Sequence, residues 1–382
     1  MKKTIIYLTV IMTTTLFIRC QKEVSNHSKS LPLNDALSDL YQEMPLGQYG
    51  NISLIHDDIL VFENSEHYFS TLDELTNLYE SWSNLFFNEY GVEDENALDS
   101  IISIMEFDDC IPLELFELEM GNYQNNLRYL CKLAENRWLN STSTTSPPED
   151  SIINNPIEQT LYSQHHEVCI NNIIYQFRPN GYCVLIPISQ ISYLDEIREI
   201  QNINTLDSLV STIPDIILKR CKDACYKSTH YKTGKISHTT GNGKFFTWSF
   251  RYAPNVFDSR TRASITMKNY KTVNGHKRWD YAICAIGESS EAYSYKIATE
   301  ECTSSIGPNS TLGNANKYHL KTRIDYSMVL SHIDSGHSIT IGPITINIPE
   351  YIEELHIDPD ESYLYCRHNG WTFNINVGNG SY

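Results

Sequence analysis

Residues 244–253, KFFTWSFRYA, contain the clearest evidence for the fold of the second half of this chain. Aromatic side chains stand at every second position: Phe246, Trp248, Phe250 and Tyr252. An extended strand therefore places all four on one face. Such a face predicts the buried core of a β-domain. On the outside of the domain, the same row would be a stacking platform for sugars or a protein-binding patch with cation–π contacts.

The period-two pattern continues to the end of the chain. Further strand-like stretches lie at 262–271, 277–287, 292–299, 318–330, 338–348, 363–366 and 371–377, separated by Gly, Asn, Pro and Ser. About eight strands without an intervening helix predict an antiparallel, β-sandwich-like domain over residues 226–382.

A second β-region precedes this domain, over residues 156–225. HEVCINNIIYQFRPNGYCVLIP (166–187) predicts two hairpins, with turns at Asn171-Asn172 and at Pro179-Asn180-Gly181. Cys169 and Cys183 would then lie on opposite sides of the middle strand, roughly 10 Å apart. A disulfide does not span that distance, so we predict that these two cysteines are not paired. Helices over 190–201 and 205–220 are expected to complete the region.

The N-terminal half predicts a helical region over 35–139 with one short strand near 57–63. STLDELTNLYESWSNLFFNEYG (70–91) indicates a helix capped by Thr71 and Glu74 and ended by Gly91. Further helices are expected over 97–107 and over 113–139, the latter weakened at 121–122. The polar segment NSTSTTSPPEDS (140–151) begins a linker assigned to 140–155. The predicted class is α+β, with a helical N-terminal region followed by an antiparallel all-β C-terminal domain.

Charge is distributed unevenly along the 382 residues, whose net charge is −18. Residues 31–127 contain 21 Asp and Glu and no Lys or Arg, whereas residues 219–333 contain 18 Lys and Arg against 8 Asp and Glu. These two blocks of opposite charge are either solvated surfaces or binding faces. As binding faces, they would contact each other across a domain interface, or each would contact a different partner.

The first twenty residues have the features of an export signal. Lys2 and Lys3 precede an apolar stretch over 4–18, about the length of a secretory signal and short of a membrane span. Leu16-Phe17-Ile18-Arg19-Cys20 resembles the lipobox of bacterial lipoproteins, although Arg19 stands where that family has a small residue. The resemblance implies a signal over 1–19, a lipid on Cys20 and a flexible tether over 20–34. The alternative is an uncleaved anchor or a signal without lipid.

Two longer stretches resemble a family of uncharacterised lipoproteins of Bacteroidota. These are ILVFENSEHYFSTLDELTNLYESW (59–82) and PIEQTLYSQHHEVCINNIIYQFRPNGYCVLIP (156–187). In that family a strand is followed by a helix with an L..L...W pattern, then by a hairpin and by a strand with K-x-W, which Lys277-Arg278-Trp279 matches. Leu161-Tyr162-Ser163 and Asn171-Asn172 depart from the family's L-L-N and G-D. The resemblance covers about half the chain, implies a cell-envelope lipoprotein and transfers no site residues.

We predict no catalytic residue, metal or cofactor from sequence motifs. G-x-S-x-G, P-loop, G-x-G-x-x-G and H-E-x-x-H patterns are all absent from the sequence. Four groups contain potential metal ligands, but a disulfide, free thiols, a hairpin start or a turn explains each more simply. These groups are Cys221, Cys225 and His230; His332 and His337; His165, His166 and Glu167; and residues 358–362.

Trp248, Tyr252, Tyr270 and Trp279 form the candidate binding surface, because they belong to the part of the chain where aromatic and basic residues alternate. We therefore expect an exported, lipid-anchored protein on the periplasmic side or cell surface of the outer membrane, acting as a non-enzymatic binding or structural module. The expected partners are the membrane and a protein or glycan, and no nucleic acid. The alternative is a surface glycan-binding protein or a glycoside hydrolase accessory protein, which an exposed Trp248 or Trp279 would favour.

Overall fold

The fold is α+β, as the sequence predicts. The computed structural model describes residues 47, 49–91, 95–105, 107–143, 145, 147–148, 150–222, 230–237, 243–254, 256, 261–280, 282–296, 301–303, 308–312, 318–321, 323–329, 332–334, 338–341, 344–347, 352–368 and 371–376. Cys20, Cys225 and His337 lie outside them. No helix within these ranges combines the length and apolarity needed to cross a membrane.

Helices occupy mainly the first half. Helices α1 to α7 span Ser65–Tyr90, Glu95–Met105, Ile111–Met120, Leu127–Leu139, Pro156–Gln159, Leu194–Glu199 and Ile203–Val210. Strands β1 to β20 span Ser53–Ile55, Ile59–Phe62, Glu167–Ile170, Ile173–Arg178, Tyr182–Pro187, Ile217–Arg220, His230–Ser237, Lys244–Pro254, Thr261–Val273, His276–Trp279, Ala282–Lys296, Glu301–Thr303, Pro308–Leu312, Tyr318–Lys321, Arg323–Val329, His332–Asp334, Ser338–Ile341, Ile344–Asn347, Ile352–His368 and Trp371–Asn376.

The chain divides into two compact units. Among the described residues, one contains Thr76–Pro112, and the other contains Tyr49–Leu75 and the chain from Leu113 onward. In the first unit, Trp82 of α1 stacks on Phe107, with ring centroids 5.6 Å apart, and donates its indole N–H to the Asp108 carbonyl oxygen at 2.9 Å. The domain boundaries expected from composition remain predictions.

Helix α1 begins earlier than predicted. The Asn64 side chain accepts the backbone N–H of His67 at 2.9 Å, which is the contact of an N-cap residue. Thr71, expected to cap this helix, instead lies within it and donates its hydroxyl to the His67 carbonyl oxygen. The capping box was therefore wrong, because an equally good cap lay seven residues upstream.

Two other predicted helices are interrupted. The stretch 113–139 forms α3 and α4, separated near Gly121, which has a φ of +78°. The helix expected over 205–220 ends at Val210, and Ile217–Arg220 forms β6 instead. Pro214 cannot donate a helical hydrogen bond, and Asp215 has a φ of +65°, so the apolar residues beyond them join a sheet.

The first sheet joins distant parts of the sequence in the order β1-β2-β3-β4-β5-β6. The β2–β3 pair is parallel and brings Phe62 opposite Ile170, whereas the other pairs are antiparallel. The hairpin at Asn171-Asn172 is confirmed, with both residues at positive φ. Cys169 and Cys183 lie on strands flanking β4 and are buried free thiols, as predicted.

A buried charge network holds this sheet together around Arg198 of α6. The guanidinium donates from Nε to Glu167 Oε1 at 3.0 Å and from Nη2 to both oxygens of Asp58, at 3.1 and 2.9 Å. Burial raises the pKa of Asp58 in spite of the charge of Arg198. Glu167 is fully buried and also accepts hydrogen bonds from Ser163 and Gln176. The network therefore links the N-terminal ends of strands β2 and β3 to helix α6.

The second sheet has the order β10-β9-β8-β7, with β15 also paired to β9, and all of its pairs are antiparallel. Phe246, Trp248, Phe250 and Tyr252 on one face of β8 are all buried, as the core interpretation predicts. Gly234 of β7 lies opposite Trp248, whose indole covers the place where a side chain would stand. The face opposite the aromatic row carries Thr247, Ser249 and Arg251.

The remaining strands form a seven-stranded sheet built on β11 and β19, together with the separate β17–β18 pair. The turn expected at 358–362 is wrong, because these residues lie within β19. The pairing of β11 with β19 shifts register between Ser289 and Glu291, and residues 359–362 fall in that irregularity. Residues 359–362 have no partner in the register with β11, so Pro359, which has no N–H to donate, interrupts no hydrogen bond of that pair.

Replacing Gly234 by alanine should destabilise the protein. The new Cβ would lie 2.7 Å from three indole atoms of the buried Trp248, so the sheet must distort. We expect the free energy of unfolding to fall by about 1–3 kcal/mol, measured by urea unfolding followed by tryptophan fluorescence. Ser237→Ala, an exposed change in the same strand, is the control. Equal midpoints for both variants would contradict the close contact.

Candidate functional site

The four aromatic residues predicted as a binding surface lie on two different faces of the second sheet. Trp248 and Tyr252 belong to the buried aromatic row and are 5% and 0% exposed. Tyr270 and Trp279 lie on the opposite face, with Phe245, because β8, β9 and β10 pair these positions directly. The structure therefore brings together two of the four residues and separates them from the other two.

Phe245, Tyr270 and Trp279 form a stack across three neighbouring strands. The Phe245 and Tyr270 rings are 5.4 Å apart at 23°, and the Tyr270 and Trp279 rings are 4.8 Å apart at 25°. A two-residue turn at Asn274-Gly275, with both residues at positive φ, folds β10 back onto β9 and sets this register. The outermost ring, Trp279, is half-buried, whereas Tyr270 is fully buried.

Helix α4 supplies a fourth aromatic ring. Trp138, in its last turn, meets Tyr270 edge to face, with ring centroids 5.1 Å apart. Its indole N–H donates to the Thr145 carbonyl oxygen at 3.0 Å, so the chain that follows the helix closes over it. We call Trp138, Phe245, Tyr270 and Trp279 the Trp279 cluster.

Two lysines lie on rings of the Trp279 cluster. Lys277 Nζ is 4.7 Å from the centroid of Trp138, and Lys235 Nζ is 4.2 Å from that of Phe245. Lys277 also donates to the carbonyl oxygens of Trp138 and Ser141, at 3.0 and 2.7 Å, and so places a positive charge at the C-terminal end of α4. Burial, together with the charge of Lys277, lowers the pKa of Lys235.

Glu135 fixes the polar side of the contact between α4 and the sheet. One of its oxygens accepts the Tyr270 hydroxyl at 2.7 Å and lies 3.2 Å from Lys268 Nζ. This hydrogen bond fixes the position of the Tyr270 ring, on which the Trp279 ring stacks. The half-buried indole and the two ammonium groups make a surface suited to a flat, polar ligand face.

The segment before α5 docks on the same sheet face as the Trp279 cluster, through a buried asparagine. Asn154 donates its amide to Ser249 at 3.1 Å and accepts the Ser264 hydroxyl. Upstream, Asp150 binds His166 at 2.6 Å and accepts the backbone N–H groups of Ile152 and Ile153. Residues 152–155, assigned to a linker from composition, are therefore buried and form part of the protein interior.

Sequence analysis missed Trp138 and Glu135 as members of this site. Both lie in a helix more than a hundred residues upstream of the strands that they contact, so sequence spacing gives no signal of the contact. The Asn274-Gly275 turn was a usable signal, because Asn-Gly between two alternating stretches is typical of a tight hairpin. It would have paired Trp279 with Tyr270.

Among the described residues, one group of three potential metal ligands lies within 4.8 Å: Asp108, Asp109 and Cys110. The Asp108 carboxylate accepts the Cys110 backbone N–H at 2.8 Å, and Asp109 accepts the Tyr79 hydroxyl at 2.9 Å. These contacts explain the group as the turn that precedes α3. His166 and Glu167, considered as metal ligands from sequence, instead bind Asp150 and Arg198.

Comparisons with protein-family models, with curated protein sequences and with solved structures gave no match.

Replacing Lys277 by methionine should loosen α4 from the sheet. Methionine keeps the aliphatic stem but loses the charged hydrogen bonds to the helix end, so we expect a loss of about 1–3 kcal/mol in unfolding free energy. Urea unfolding measures the change. Arg278→Met, at the exposed neighbouring position, should change stability by less than about 0.5 kcal/mol. A K277M variant as stable as R278M would contradict a role for Lys277 in helix docking.

Proposed function

We propose that this chain is an exported protein, held to the outer membrane of a bacterium by a lipid on Cys20, that serves as a non-enzymatic binding or structural module. The observation that carries the proposal is the order of residues at the N-terminus. Two lysines, an apolar stretch of signal length and a cysteine are followed by the polar segment 21–30. Two or more acyl chains on such a cysteine give stable attachment to a bilayer.

The state of the buried carboxylates supports a non-enzymatic role. Burial raises the pKa of Glu117 and of Asp58, a property shared with catalytic acids. Glu117, however, is fully buried and binds Arg128 through both of its oxygens, the Nη2 contact being 2.6 Å. Asp58 likewise accepts Arg198 through both oxygens. These carboxylates are occupied by guanidinium groups, which favours a structural role for them.

For the C-terminal half we propose the sandwich arrangement expected from sequence. The aromatic face of β8 supports it, because Phe246, Phe250 and Tyr252 are fully buried on the side away from α4. An apolar face of this kind requires a second layer, and the sheet built on β11 and β19 belongs to the same compact unit.

Trp279 favours a second candidate function, the binding of a glycan at the cell surface. Its half-buried indole rests on Tyr270 and has Lys277 two positions before it in β10. Aromatic faces bind the C–H faces of sugar rings, and nearby ammonium groups add hydrogen bonds or pair with acidic sugars. Trp248, the other tryptophan considered, is buried and lends no support.

Cys20→Ser tests the lipid attachment directly. In a bacterium with an outer membrane, the full chain should incorporate radiolabelled palmitate and sediment with membranes, whereas C20S should lose both properties. Cys131→Ser, which removes a thiol in α4, should keep both. Label that persists in C20S, or full-length unmodified protein in the cytosol, would refute the proposal.

Trp279→Ala tests the glycan candidate on a glycan array probed with the full chain. Binding to any positive glycan should fall at least tenfold, because the stacking face is lost, when both proteins are assayed under conditions in which urea unfolding shows them to be folded. Tyr193→Ala, at an exposed aromatic residue elsewhere, should bind as the wild type does. Absence of glycan binding by the wild type, or equal binding by W279A, would leave only the first candidate function.

A further inference from the structure

Arg251 is the charged residue among Thr247, Ser249 and Arg251 on the polar face of β8. It lies opposite Tyr231 of β7 and Ser264 of β9, and its side chain is only 6% exposed. Its Nε is fully enclosed and has no hydrogen-bond partner. No ion pair reaches its guanidinium from the described parts of the chain.

Two other largely buried arginines have carboxylate partners. Arg128 binds Glu117, and Arg198 binds Glu167 and Asp58. An arginine side chain remains protonated in proteins, and a buried charge without a partner is strongly unfavourable. A negative group beside Arg251 would supply the ion-pair partner that the described residues do not.

Cys221, a titratable neighbour of Arg251, does not provide that charge. Burial raises the pKa of the Cys221 thiol to about 11, even though Arg251 and Lys219 act in the opposite direction. At neutral pH the thiol is thus uncharged. The Cys221 thiol therefore does not compensate the charge of Arg251.

We infer that Arg251 anchors a binding site for a small oxyanion group, a carboxylate or a phosphate. The planar guanidinium presents paired N–H donors that match two oxygens of such a group. Ser249, two positions away on the same face of β8, accepts its hydrogen bond from Asn154, so its own O–H is a donor for the same ligand. The ligand would lie beside the segment that Asn154 docks, and so would strengthen the contact between that segment and the sheet.

Thermal unfolding of the full-length chain tests this site. In a buffer poor in oxyanions, Arg251→Met should unfold at the same temperature as the wild type or higher, because it removes an unmatched buried charge. Inorganic phosphate or acetate, added separately, should raise the wild-type Tm by several degrees and saturate, and should leave the Tm of R251M unchanged. Whichever anion acts identifies the group as phosphate or carboxylate. Arg278→Met, an exposed arginine on β10, should respond as the wild type does.

Equilibrium dialysis with radiolabelled phosphate or acetate provides a second measurement that does not depend on folding stability. We expect one bound ion per wild-type chain and at least tenfold weaker binding by Arg251→Lys, which keeps the charge and loses the paired donors. A lower Tm for R251M in the oxyanion-poor buffer would mean that the protein itself supplies the partner. That result, or equal anion responses of the wild type and R251M, would overturn the inference.

Discussion

The central constraint in this protein is that polar groups buried on a β-sheet face must find partners. One face of β8 and β9 carries hydroxyl groups and charges where an ordinary sheet would bury apolar side chains. Residues about a hundred positions earlier in the chain supply hydrogen-bond and ion-pair partners for these groups. Glu135 binds Lys268 and Tyr270, and Asn154 binds Ser249. Such contacts are directional, so they fix α4 and the following segment in one position. The Trp279 cluster exists because this docking brings a helical tryptophan against a stack of strand aromatics.

The need to pair buried polar groups also explains how the strands of the first sheet are held together. The buried charges of that sheet are paired, whereas Arg251 has no ion-pair partner among the described residues. Arg198 gathers Asp58 and Glu167, two residues more than a hundred positions apart, and so links the parallel strands β2 and β3. Breaking such a pair is costly because the remaining charge stays buried. These buried pairs account for the position of the strands. Arg251 has no such pair among the described residues, and this makes it informative about ligands and not only about stability.

Local patterns predicted local structure well. Alternation at 244–253 correctly placed a buried aromatic row, and the Asn171-Asn172 hairpin kept Cys169 and Cys183 apart. Predictions failed where a competing local signal was stronger. Asn64 capped α1 ahead of Thr71, and Pro214 ended a helical pattern whose remaining apolar residues were taken into a sheet edge. In both segments the apolar residues have helical spacing, but the N-cap residue or the proline determined where the helix begins or ends.

Side-chain periodicity and turn residues were enough to predict the α+β class and the positions of most strands, and the composition of the first residues carries our proposal of a lipid on Cys20. All three are local properties of the chain. The folded structure was needed to show that Tyr270 and Trp279 share a face that Trp248 and Tyr252 do not, that Trp138 completes the cluster, and that Arg251 is enclosed. Those facts depend on strand register and on contacts between residues more than a hundred positions apart, and periodicity within a single segment contains neither.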